Sequence, residues 1–63
     1  MLKNNMKEIR KIRKITQEEL AREIDVSVRT IQNIERTSNT DITTAYKIKK
    51  ALKANTIEEI FIE

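Results

Sequence analysis

Residues Thr16 to Arg36 read TQEELAREIDVSVRTIQNIER, and the spacing of apolar residues in this stretch decides the fold. Leu20 and Ile24 are four apart, Val26 falls in a connection, and Ile31 and Ile34 are three apart, so all five can turn into one core. Ala21 lies where two helices would cross, and its methyl group lets their backbones approach closely. Thr16 with Glu19 three residues later has the spacing of a capping box, and Ser27 is a good N-cap. The stretch therefore predicts two short capped helices joined by a tight turn.

Such a helix-turn-helix serves mainly to hold its second helix against DNA. Upstream, Asn4 or Asn5 can cap a first helix running to about Ile15, with Met6, Ile9 and Arg10 on one face; Arg13 lies on the side of Arg10, toward either phosphate or core. Downstream, a fourth helix from about Asp41 to Lys53 carries Ile42, Ala45, Ile48 and Leu52 as an apolar stripe, with Lys47, Lys49, Lys50 and Lys53 mostly elsewhere. Thr56 with Glu59 has capping-box spacing again and would open a short fifth helix containing Ile57 and Ile60. Phe61 and Ile62 favour strand, and pairing of Phe61 to Glu63 with Met1 to Lys3 as a small β-ribbon is one option. The expected fold is an all-α, five-helix bundle forming a single domain over residues 1–63.

With 63 residues, the chain is near the lower size at which one core suffices without a covalent or metal staple, and it has no cysteine to form a disulfide. It also has no histidine, which removes the commonest metal ligand and the commonest general base together. Ser27 and Ser38 have neither a nearby base nor a glycine-rich turn, so they read as cap and loop rather than nucleophiles. No enzyme activity, metal or cofactor is expected. The longest apolar run is three residues, Ile60 to Ile62, too short to span a membrane, and the charged start is unlike a signal peptide; a soluble cytoplasmic protein is expected. The net charge of +3 is unevenly spread: +5 over residues 1–15, −3 over 16–26, +1 over 27–40, +3 over 41–53 and −3 over 54–63. Basic patches of this kind suit a phosphate backbone and equally suit solvated helix faces.

From about Asn5 to Phe61 the chain resembles the lambda-repressor-like family, also called Cro-type or xenobiotic-response-element-type helix-turn-helix regulators. Thr16, Gln17, Glu18, Glu19, Leu20 and Ala21 match its strongest run, and Val26, Ser27, Ile31, Glu35 and Arg36 match its second signature. Lys14, Asp25 and Thr37 stand where the family prefers glycine, a residue this chain lacks altogether. Each turn must then be made by a residue carrying a Cβ, at a cost of very roughly 1 kcal/mol relative to glycine at Asp25. Thr40 replaces a frequent proline and can cap the fourth helix, and a one-residue insertion falls near Asn55. The resemblance implies that Arg10 pairs with Glu35 at the end of the second motif helix. It also implies that Gln17, at the positive end of a helix, grips a phosphate, and that Arg36, Thr37, Ser38 and Asn39 form a second backbone-contacting segment.

On a wheel of about 100° per residue, Ser27, Ile31 and Ile34 share the buried side, while Arg29, Gln32, Asn33 and Arg36 lie across from it with Val28 on the boundary. A surface helix has a polar outer face in any case; its place within the family motif favours base reading by Val28, Arg29, Gln32 and Asn33. Arginine can donate twice to guanine, Gln and Asn can pair with adenine, and valine can cover a thymine methyl; Val28 is equally suited to close the edge of the core. One subunit offers too few base contacts for a unique genomic address, so a homodimer on a palindromic double-stranded DNA operator is expected. The family often dimerises through its C-terminal segment, which here offers Ile57, Ile60, Phe61 and Ile62. The resulting expectation is a sequence-specific transcriptional regulator, a repressor with no separate effector domain. The competing reading is an antitoxin or other small module whose main partner is a protein.

Overall fold

The computed structural model describes residues 3–62. In chain order the elements are β1 (Lys3–Asn4), α1 (Met6–Arg13), α2 (Gln17–Glu23), α3 (Val28–Thr37), α4 (Ile42–Ala51), a 3-10 turn (Ile57–Glu59) and β2 (Phe61–Ile62). Among the described residues there are thus four α-helices rather than five. The segment expected to be a fifth helix makes only the three-residue 3-10 turn, and its capping box does not form: Thr56 makes no side-chain cap, while the Glu59 carboxylate accepts from the Asn55 N–H at 3.0 Å. One turn fixes several dihedrals for a single backbone bond, so so short a segment gains little from α-helical geometry.

The helix starts of the motif follow local chemistry. Thr16 and Glu19 exchange their bonds, with the Glu19 N–H donating to Thr16 Oγ1 at 3.0 Å and the Thr16 N–H donating to Glu19 Oε1 at 2.9 Å. Ser27 Oγ accepts from the Thr30 N–H at 3.1 Å. Asp41, and not Thr40, caps α4, its carboxylate accepting from the Thr44 N–H at 3.3 Å. Each such cap contributes about 1 kcal/mol.

Among the described residues four with a Cβ take left-handed backbone: Lys14 (φ 58°), Asp25 (φ 60°), Ser38 (φ 59°) and Lys53 (φ 58°). Each closes a helix end, and each carries a steric cost of about 1 kcal/mol that glycine would not. The left-handed residue after α3 is Ser38 rather than Thr37, because α3 runs through Thr37.

Met6, Leu20, Ile31, Ile48, Leu52 and Ile60 are wholly buried, with Ala21, Ile24, Ile34 and Ala51 packed among them. Each large side chain so buried contributes about 1.5–3 kcal/mol. Ala21, on α2, is buried in the core, and its carbonyl accepts the Val26 N–H at 2.9 Å to close the turn. On α4 the inward residues are Ala45, Ile48, Ala51 and Leu52; Ile42, expected on that stripe, is 64% exposed. It occupies the first position of α4, where the helix begins beyond the edge of the core.

The first and last described segments meet. β1 pairs antiparallel with β2, Lys3 opposite Ile62 and Asn4 opposite Phe61. The ribbon therefore reaches Asn4; Met1, Leu2 and Glu63, named in the expected pairing, lie outside the described residues.

Candidate nucleic-acid interface

The α3 helix is fastened at its start by Ser27 and along its inner side by Ile31 and Ile34. With that side buried, the 3.6-residue period turns Arg29, Gln32, Asn33 and Arg36 outward, and all four are exposed. Val28 is half-buried against the core, a position compatible both with closing the core edge and with presenting a methyl group at the helix margin.

Behind this face lies a polar network reaching from the core to the surface. Arg10 Nε donates to Glu35 Oε2 at 2.6 Å and an Arg10 Nη donates to Glu35 Oε1 at 3.3 Å, with both side chains 11% exposed. The other Arg10 Nη donates to the Ile15 carbonyl at 3.1 Å. Gln17 Nε2 donates to Glu35 Oε1 at 3.1 Å, and Gln32 Nε2 reaches Gln17 Oε1 at 3.5 Å. The fork of Arg10 on Glu35 has the geometry of a strong charge-assisted pair. Through it α1, α2 and α3 are joined at one point, and the amide of Gln17 is held with its oxygen toward Gln32.

The segment after α3 is divided. Arg36 and Asn39 are exposed, and Thr37 uses its hydroxyl locally, donating to the Asn33 carbonyl at 2.7 Å and accepting from the Asn39 N–H at 3.1 Å. Ser38 is turned inward: it is 5% exposed, its N–H donates to the Ile34 carbonyl at 2.8 Å, and its hydroxyl accepts from Asn4 Nδ2 at 2.7 Å. Arg13, left open between phosphate and core, is exposed and donates to the Lys53 carbonyl at 3.4 Å.

At the C-terminal end Ile60 is completely buried, so it belongs to the core and not to a contact face. Ile57 and Phe61 are half-buried and Ile62 is 43% exposed. Two neighbours that sequence reasoning did not place here join them: Ile42, and Tyr46 at 54% exposure. Ile42, Tyr46, Lys49, Ile57 and Glu58 line one shallow groove, and Ile42, Ile57 and Phe61 line a second. The exposure of Ile42 follows from its place at the start of α4, where the apolar stripe runs past the edge of the core.

Among the described residues no helix is long and apolar enough to cross a membrane, and no group of three or more Asp or Glu is placed to hold a metal ion. No curated protein matches the chain as a relative. The helix-turn-helix family model HTH_3 matches residues 6–60, which takes in α1 to α4 and the buried Ile60. The chain belongs to this lambda-repressor-like, Cro-type helix-turn-helix family, a family of DNA-binding transcription regulators.

Proposed function

We propose that the protein is a sequence-specific regulator that lays α3 in the major groove, and that it acts as a dimeric repressor by occupying a palindromic operator. The observation that carries this reading is the outer face of α3: Arg29, Gln32 and Asn33 stand exposed over the buried Ile31 and Ile34. Arg29 would donate to guanine O6 and N7, Gln32 and Asn33 would each pair with adenine, and Val28 would touch a thymine methyl. Gln17, Arg36 and Asn39 would meet the phosphates on either side. Gln17 keeps one N–H free after serving Glu35, since a primary amide has two.

The second half of the proposal is a homodimer through the face of Ile42, Tyr46, Ile57 and Phe61, with the exposed Ile62 next along β2. Its support is chemical. Isolated exposed apolar residues are ordinary, but neighbouring ones mark contact sites. The groove that holds Ile42 and Tyr46 also holds Lys49 and Glu58, so a two-fold arrangement can set each lysine against the other copy's glutamate.

Selection of preferred sites from a random duplex library, with sedimentation of the free and bound protein, tests both halves. A palindrome with half-sites about 10 base pairs apart is the expected result, together with an affinity that falls steeply with salt. No enriched sequence, with tight binding to an unrelated protein at the apolar face, would replace this reading with that of a protein-binding antitoxin.

A further inference from the structure

We infer that Asn4 is a positioning residue for DNA reading, acting as a clamp on the C-terminal end of α3. The inference rests on the proposal that α3 reads bases. Asn4 Nδ2 lies 3.1 Å from the Ile34 carbonyl, 3.1 Å from the Glu35 carbonyl and 2.7 Å from Ser38 Oγ. Its Oδ1 accepts the Met6 N–H at 3.2 Å. The side chain is thereby used at both ends, joining the first turn of α1 to the last turn of α3.

The chemistry of a helix end explains why such a clamp matters. The last carbonyls of a helix have no partner within it. In α3 the Ile34 carbonyl takes the Ser38 N–H and is reached by Asn4 as well, while among the described residues the Glu35 carbonyl has Asn4 as its partner from outside the helix. Ser38, in left-handed backbone, ends the helix, and Asn4 holds the buried hydroxyl of that same residue. The two amide hydrogens are thus shared among three acceptors that together define where α3 stops.

Asn4 is itself held in place by the ribbon. It sits opposite Phe61 in the β1–β2 pair, and the adjacent Asn5 N–H donates to the Ile60 carbonyl at 2.7 Å. Ile60 is wholly buried, so the clamp is anchored in the core. The exposed Asn33 and Arg36 flank the clamped carbonyls of Ile34 and Glu35 in sequence. Base discrimination depends on side chains held to within about 0.5 Å, whereas non-specific attraction to phosphates depends chiefly on charge. Freeing the end of α3 therefore harms discrimination and leaves non-specific attraction intact.

The test compares wild type, Asn4→Ala and Asn4→Ser on a selected duplex and on a scrambled duplex of equal length, at a temperature where circular dichroism shows each chain folded. Serine is the second variant because its short hydroxyl can still accept from the Met6 N–H but cannot span to the α3 carbonyls. Both variants are expected to lower the ratio of specific to non-specific affinity about tenfold, the size of one lost, well-placed hydrogen bond to a carbonyl left bare, with affinity for the scrambled duplex unchanged. A merely structural role would instead reduce the active fraction and weaken both duplexes alike; that result, or a wild-type ratio in either folded variant, overturns the inference. A wild-type chain that prefers no duplex would overturn the DNA-reading proposal itself.

Discussion

Along α3 the isoleucines Ile31 and Ile34 turn into the core and the exposed residues are Arg29, Gln32, Asn33, Arg36 and Thr37, whereas from α4 to β2 the side chains of Ile42, Tyr46 and Ile62 remain substantially outside. The same small core thus supports two outer faces of opposite character. A polar face is at rest in water and awaits a ligand only for specificity. An apolar face gains about 25 cal/mol for each Å² that a partner covers. Under the proposed function the polar face takes nucleic acid and the apolar face a second copy of the chain, and the comparison can be broken at either face.

The largest expected effect lies behind the polar face of α3. Arg10→Met strands the nearly buried Glu35 carboxylate and should cost about 3–5 kcal/mol in chemical denaturation. A loss below about 1 kcal/mol would be that of a solvent-screened pair and would remove the network as the support of α3. On the apolar face, Ile42→Ser combined with Tyr46→Ser should weaken self-association at least about tenfold while monomer stability changes by about 0.5 kcal/mol or less. Sedimentation equilibrium reads the first and thermal melting the second; unchanged association would leave the face without its proposed partner.

A smaller effect belongs to the turn between α2 and α3. Asp25→Gly relieves a left-handed residue and should stabilise by about 1 kcal/mol, raising Tm by about 4–8 °C for a domain of this size. An equal or lower Tm would mean that the Asp25 side chain offsets its backbone cost. Smallest is the pH response of the α2 cap. Hydrogen bonds with the backbone and then the side chain of Thr16 hold the Glu19 carboxyl below the usual glutamate range. A depressed carboxylate contributes stability above its unfolded pKa and loses it as pH falls through the folded value, so Glu19→Gln should flatten the acid limb of the melting curve. Parallel limbs for the two chains would show that the box contributes nothing that titrates.

Much of the motif was legible because its signals are local. Thr16, Glu19 and Ser27 sit three residues from the groups they bond, and Leu20, Ala21, Ile31 and Ile34 repeat at helical spacing. The same spacing failed at Thr56 and Glu59, where the chain makes a three-residue 3-10 turn before β2 and the carboxylate turns to Asn55. Ile42 shares a stripe with Ala45 and Ile48, but periodicity does not say where along a helix the core ends. Lys14 and Asp25 were marked by departures from a glycine pattern; Lys53 had no such mark. At the candidate interface, the outward direction of Arg29, Gln32 and Asn33 followed from the period of α3, while the burial of Ser38 did not. Its hydroxyl is held by Asn4, whose acceptors lie 30 to 34 residues away, and no local pattern records a contact of that range.

The most direct measurement is the affinity of wild type and Arg29→Ala for a selected operator and for each of its single-base variants. Wild type should discriminate at the base pair that Arg29 meets, and the variant should lose about 1–3 kcal/mol of discrimination at that pair alone. Equal weakening on every duplex would make Arg29 a phosphate contact and contradict base reading by the outer face of α3.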